Sequence, residues 1–181
     1  MKTYIAILRG INVSGSKPIK MDALRAMCES LKFKNVRTYI QSGNIVFESK
    51  PTTNSALEIL ISKKIKEVFT FDVPVMVKDA EELKQVMHNN PFVKKRNEDI
   101  SRLYVTFLSA LPNTTLIDKL KEGNYGTDEY YFDELVVYLF CPISYGNSKL
   151  SNTFFENKLK LNATTRNWKT LTELLTMAEQ K

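Results

Sequence analysis

The apolar positions of this chain change period in a regular order, and that order predicts its elements. Residues 3–8, Thr3-Tyr4-Ile5-Ala6-Ile7-Leu8, form a short continuous apolar run that reads as a buried strand. Over 21–32 the spacing becomes helical: Leu24, Met27, Cys28 and Leu31 share one face, and Asp22 sits in the first turn. Val36–Ile40 and Ile45–Glu48 predict two strands joined by the turn Gln41-Ser42-Gly43-Asn44. A helix is expected after Pro51-Thr52-Thr53, with Ser55 and Glu58 spaced as a capping box. Its inward stripe would be Leu57, Leu60, Ile61, Ile65 and Val68. Val73–Val77 predicts a fourth strand.

A linking helix is expected from Asp79 to Asn89, stopping before Pro91, where a polar loop with Lys94-Lys95-Arg96 begins. The same order then restarts. Leu103–Leu108 reads as a strand, Pro112-Asn113-Thr114 opens a short helix that ends at Gly123, and Tyr130–Phe132 with Leu135–Phe140 forms a hairpin. A helix starts near Ser151, Ala163–Arg166 is a short strand, and Thr170 with Glu173 boxes the start of a last helix. The expected fold class is α+β: two tandem ferredoxin-like (βαββαβ) halves with antiparallel sheets, a linker helix and a C-terminal helix. The expected division is 1–78, a linker over 79–99, and 100–181. The residues themselves show no obvious repeat, so the duplication rests on element order.

In the split βαβ topology the first two strands are parallel and the third lies antiparallel beside them. The loop that leaves the first strand and the turn between the second and third must then share one end of the sheet. Arg9, Asn12, Ser14 and Lys17 come from the loop; Gln41, Ser42 and Asn44 come from the turn. These seven residues are the expected ligand site, because polar groups converging from distant stretches make a stronger candidate than either stretch alone.

Gly10 and Gly15 have the separation of the glycines in G-x-x-x-x-G-K-[ST], but Ser16-Lys17 reverses the Lys-Ser order and Pro18 follows. A phosphate loop leads straight into its helix, so this is not one. Looser anion binding by backbone amides, Arg9 and Lys17 is the alternative, beside a purely structural role for the loop.

Composition narrows the classes. The chain has 181 residues, 43% hydrophobic and 25% charged, as expected of an ordinary globular protein, and it lacks the apolar run of a membrane span or a secretory signal. A cytoplasmic location is expected. Cys28 and Cys141 predict neither a disulfide framework nor a zinc site, and read as buried small hydrophobes. The single histidine, His88, has no nucleophile motif to join and reads as a surface or C-cap residue. No metal or cofactor is called for. The net charge of +6 sits entirely in residues 1–78, which carry 13 Lys/Arg against 6 Asp/Glu.

Three further features complete the pattern: Gly146-Asn147-Ser148-Lys149-Leu150-Ser151-Asn152 at a helix start, Ala163-Thr164-Thr165-Arg166-Asn167-Trp168, and the Lys63-Lys64-Ile65-Lys66 run. Ser151 or Asn152 would cap the helix, and Trp168 reads as a core anchor. On four motifs, Leu8-Arg9-Gly10-Ile11-Asn12-Val13, Tyr39-Ile40-Gln41-Ser42-Gly43-Asn44, Ser148-Lys149-Leu150-Ser151-Asn152 and Ala163-Thr164-Thr165-Arg166-Asn167-Trp168, the chain resembles a bacterial domain-of-unknown-function family over nearly its whole length. The resemblance implies a cytosolic α+β protein with ferredoxin-like repeats and transfers no catalytic residue. This chain departs from the family pattern at Ser14 and Ser16, where glycine and lysine are usual.

The expected function is binding of a small phosphate- or carboxylate-bearing ligand at the first-strand loop. One alternative is a nucleic-acid module, weakened because Asn44-Ile45-Val46-Phe47-Glu48 lacks the RNA-recognition pattern. The other is a protein-interaction domain without catalysis. Whether the chain is an enzyme, and its oligomeric state, do not follow from the residues.

Overall fold

A computed structural model of the chain describes residues 1–180. It is α+β, with two four-stranded antiparallel sheets. The described residues divide into two compact units, 1–85 together with 172–180, and 86–171.

In the first unit, β1 (Lys2–Leu8), α1 (Met21–Ser30), β2 (Lys34–Tyr39), β3 (Asn44–Ser49), α2 (Asn54–Phe69) and β4 (Val75–Asp79) follow in order. The sheet order is β2-β3-β1-β4, every neighbour antiparallel. β1 is an unbroken apolar run because it is an inner strand, and Tyr4 through Leu8 are all fully buried. Tyr4, Ala6 and Leu8 join Ile45, Phe47, Val75 and Val77 beneath Leu24, Met27 and Cys28 of α1 and Leu57, Ile61 and Ile65 of α2. Burying each large side chain of this set contributes about 1.5–3 kcal/mol. The Phe47 ring stacks on Phe33 at 4.3 Å. The Tyr4 hydroxyl donates to the Thr52 carbonyl and accepts from the Thr52 amide, both at 3.0 Å, so this buried phenol is satisfied where the chain enters α2.

α3 (Ala80–His88) and a short α4 (Pro91–Lys94) follow. The second unit carries β5 (Leu103–Leu108), α5 (Thr114–Lys121), β6 (Glu129–Asp133), β7 (Val136–Phe140), α6 (Asn152–Leu159) and β8 (Ala163–Asn167), and α7 (Trp168–Glu179) closes the chain. Its sheet order is β6-β7-β5-β8, again antiparallel throughout. Leu108, Val137, Leu139 and Ala163 pack with Leu120 of α5 and with Phe155 and Leu159 of α6.

The two units share hydrogen bonds position for position. The Leu8 amide donates to Gly43 and the Leu108 amide to Leu135, each at 2.8 Å. The Arg9 amide donates to Pro74 and the Ser109 amide to Asn162. Glu58 on α2 accepts from the Val77 amide at 2.9 Å; Glu156, at the same place in α6, accepts from the Ala163 amide at 3.2 Å, two positions earlier along its strand. Thr70 and Lys160 end α2 and α6 in the left-handed conformation. Asp79 and Asn167, the last residues of β4 and β8, each accept from the amide three residues on at 2.8 Å. The units differ in loops. The chain takes residues 9–20 to pass from β1 to α1 but only 109–113 from β5 to α5, and 141–151 from β7 to α6 against 50–53 from β3 to α2.

Several local expectations are corrected. Thr53, not Ser55, caps α2, accepting from the Ala56 amide at 3.2 Å. Glu58 is drawn away to β4, so no capping box forms. Leu60 and Val68 are 42% and 47% exposed, since the three positions Leu57, Ile61 and Ile65 already cover the sheet. β4 starts at Val75 because Pro74 has no amide for the ladder. α7 begins at Trp168 under an Asn167 cap, which puts Thr170 inside the helix. Pro91 starts a helical turn capped by Asn90 rather than a loop.

Gly43 has φ +81, and a Cβ there would meet the Leu8 Cβ at 2.7 Å. Gly43→Ala is therefore expected to cost about 2–4 kcal/mol, from left-handed strain plus overpacking. Urea unfolding should show a lower midpoint at unchanged slope; a loss below about 0.5 kcal/mol would contradict this packing. Burial pushes the Cys28 thiol up to about 12 and the Cys141 thiol up to about 11, from an ordinary 9.0. Both thiols stay protonated in the folded chain at pH where the unfolded chain ionises. Stability should accordingly fall as pH rises from 9 toward 12. Ellman's reagent at pH 8 should find neither thiol until denaturant is added; fast reaction in the native state would refute their burial.

Candidate functional site

Beyond Leu8 the chain leaves the sheet and makes a small finger before α1. Gly10, Asn12, Ser14, Gly15 and Lys17 all have positive φ, between 47° and 76°. Three of the five are not glycine, and such residues need local bonds to hold them there. The Ser16 amide donates to the Val13 carbonyl at 2.8 Å and the Asn12 amide to Lys17 at 3.2 Å, pairing the two arms of the finger. Buried Ile11 and Ile19 pin its base.

The Asn12 side chain joins this finger to the rest of the unit. Its Oδ1 accepts from the Ile19 amide at 2.8 Å. Its Nδ2 donates to the Ile19 carbonyl and to the Gln41 carbonyl, each at 2.9 Å. One carboxamide thus acts as a peptide group would, closing the loop on itself and onto the β2–β3 turn. That turn is braced in the same way. Asn44 is fully buried, and its Nδ2 donates to the Tyr39 carbonyl at 3.1 Å and the Ser42 hydroxyl at 3.0 Å. The loop and the turn therefore meet at one end of the sheet.

The seven expected residues do not all face one space. Asn12 and Gln41 line an open depression of about 570 Å³ together with Pro18, Ile19, Lys20, Met21 and Asp22. Ser42 and Asn44 lie within the turn and serve its frame. Ser14 is exposed on the finger. Arg9 is half-buried, with its amide bonded to Pro74. Lys17 Nζ reaches the Asp72 carbonyl at 2.5 Å, which ties the finger to the segment before β4.

Lys20, which the loop motif did not single out, belongs to the depression. It occupies the N-cap position of α1 and makes no side-chain capping bond, so no side-chain oxygen of its own reaches the first-turn amides. Asp22, the one carboxylate lining the space, is ion-paired with Arg25, which also donates to the Thr38 hydroxyl at 2.6 Å. The groups on offer are amides, a lysine and the positive end of α1, suited to holding an anion. Lys20 was findable: a lysine directly before the first apolar-periodic residue leaves a helix uncapped.

The other two motif stretches also meet through an asparagine. The Thr165 hydroxyl donates to Asn152 Oδ1 at 2.6 Å and lies 2.7 Å from the Thr106 hydroxyl. Ser151 caps α6, Ser148 accepts from the Leu150 amide, and Lys149 Nζ reaches the Asn124 carbonyl. These contacts stabilise backbone rather than prepare a nucleophile. Trp168 is buried and His88 is exposed at the end of α3. Lys64 and Lys66 are paired with Glu67 and Asp72. Among the described residues no group of three or more His, Cys, Asp or Glu side chains could hold a metal ion. No helix among them is long and apolar enough to cross a membrane.

Comparison with known proteins identifies a fold and a family. No curated protein matches the chain. A solved structure, that of the conserved bacterial protein SP0830 from Streptococcus pneumoniae, is similar over 98% of this chain and 99% of that one. Its TM-score is 0.75 at 24% identity, a likeness of fold alone. The family described as "Protein of unknown function (DUF1697)" matches residues 1–138. The chain belongs to the DUF1697 family, a family of unknown function.

Proposed function

We propose that this protein binds a small anion bearing a phosphate or carboxylate, at the depression between the β1–α1 finger and the start of α1. The observation that carries the reading is the Asn12 side chain. Its three hydrogen bonds hold the finger against the Gln41 turn and so fix Lys20 and the uncapped α1 terminus on one side of a shared space. A site pre-formed in this way loses little entropy on binding. Arg9 and Lys17 add positive charge nearby, and the Gln41 amide would orient the rest of the ligand. The corresponding β5–α5 connection spans only residues 109–113. The longer finger is therefore not required by the fold, which favours a role in recognition.

We also infer that each unit is a ferredoxin-like module and that the chain is a tandem duplication. The paired sheet orders and the matched bonds of Leu8 with Leu108 and of Asp79 with Asn167 support this.

Two measurements test the reading. Asn12→Ala leaves the Ile19 amide and two carbonyls without a partner, and is expected to cost about 1–3 kcal/mol in urea unfolding. A change within about 0.5 kcal/mol would show that the clamp does not hold the finger. Orthophosphate and sugar phosphates, titrated at constant ionic strength, should raise the melting temperature. At ten times Kd the gain is about 1.4 kcal/mol, or roughly 3–6 °C. Lys20→Gln should abolish the rise without lowering the unliganded melting temperature. No rise for any anion, or an equal rise in Lys20→Gln, would reject the site.

A further inference from the structure

The second unit holds a cleft that the anion site does not use. α5 and α6 lie beside one another, and Leu116, Leu120, Tyr125 and Phe154 line the space at their edge, about 470 Å³. That volume lies in the range of small-molecule sites, roughly 300–1,000 Å³. The aromatic wall is held in place. A Cβ on Gly123 would overlap the Tyr125 hydroxyl and ring carbons, so only glycine at this position lets the ring fold back toward α5. The Tyr125 hydroxyl then donates to the Leu120 carbonyl at 2.7 Å. The ring meets Tyr130 and Phe154 edge-on, at 5.6 and 5.5 Å, both with an interplanar angle of 78°. Burial raises the Tyr125 pKa above its ordinary value.

The rim carries a charge pattern of its own. Lys119 from α5 and Lys158 from α6 are exposed and, among the described residues, in no ion pair, whereas neighbouring Lys121 is paired with Asp118 at 2.7 Å. Glu122 is the single carboxylate at the opening, so the mouth is net positive. An apolar aromatic wall beneath two uncommitted ammonium groups is complementary to a molecule with a flat apolar body and an anionic end.

We propose that the α5–α6 cleft binds an amphipathic organic anion, its planar apolar body against Leu116, Leu120, Tyr125 and Phe154 and its carboxylate met by Lys119 and Lys158. The site lies wholly within residues 114–158, so its test is independent of the depression beside α1.

The experiment titrates the isotope-labelled full chain with naphthoate and, separately, with naphthamide, its neutral isostere, following backbone amide shifts. Naphthoate is expected to saturate, with its shifts centred on Leu116, Tyr125 and Phe154, and to bind about fivefold more tightly than naphthamide. Lys119→Gln with Lys158→Gln should erase that preference while leaving naphthamide binding as it was. Phe154→Ala should weaken both ligands, and the spectrum itself reports that each variant is folded. The proposal is overturned by the absence of saturable shifts up to several millimolar, by shifts centred elsewhere, by equal affinity for the two ligands, or by a preference that survives in the double lysine variant.

Discussion

One carboxamide holds together the loop and turn at the end of the first sheet. Asn12 has the donors and acceptor of a peptide group on a short side chain, and it uses them on Ile19 and Gln41 as a strand neighbour would. The finger needs such a brace, because five of its residues sit at positive φ and little of it is buried. Nearby, the Gly43 carbonyl takes the Leu8 amide at the end of β1, and the glycine backbone packs where a side chain would strike Leu8. The finger, the strand end and the turn are therefore one mechanical unit. Lys20 and the first turn of α1 take their position from it.

The same device recurs in the second unit with a different result. Asn152 joins the start of α6 to Thr165 on β8, and the hydroxyl chain continues to Thr106 on β5. Around it the polar residues of 146–152 cap a helix and close turns. The four motif stretches thus form two joined pairs, each held by an asparagine. In the first unit the pair borders an open depression lined by Lys20. In the second its polar groups are taken up by framework bonds, and the open cleft lies instead between α5 and α6.

The alternation of strands and helices was legible because each element announces its own period. β5 matched its apolar run to the residue, and β1 to within one. The meeting of the finger with the turn followed from topology, since the loop after a first strand and the turn before a third must lie at one end of such a sheet. Caps were less legible. Ser55-x-x-Glu58 and Thr170-x-x-Glu173 have the right spacing, but Thr53 and Asn167 stand one position outside each helix and win the amides. Side-chain assignment was the weakest link. A sequence does not say whether an asparagine faces a ligand or its own backbone, and Asn12 and Asn44 both turned inward to the frame. Lys20 lies three residues beyond the loop motif, which ends at Lys17, and carries no motif of its own. The cleft in the second unit left no motif at all, because Gly123 and Tyr125 matter there through shape.

Native-state hydrogen exchange at the Ile19 amide tests the central claim most directly, since that proton is donated to a side chain and to no helix or strand. The account predicts clear protection of Ile19 in the unliganded chain, with exchange through an opening that Asn12→Ala makes far more frequent while amides in β1 are unaffected. Exchange of Ile19 at the rate of an unstructured peptide would contradict it, and the finger would then be an ordinary loose loop.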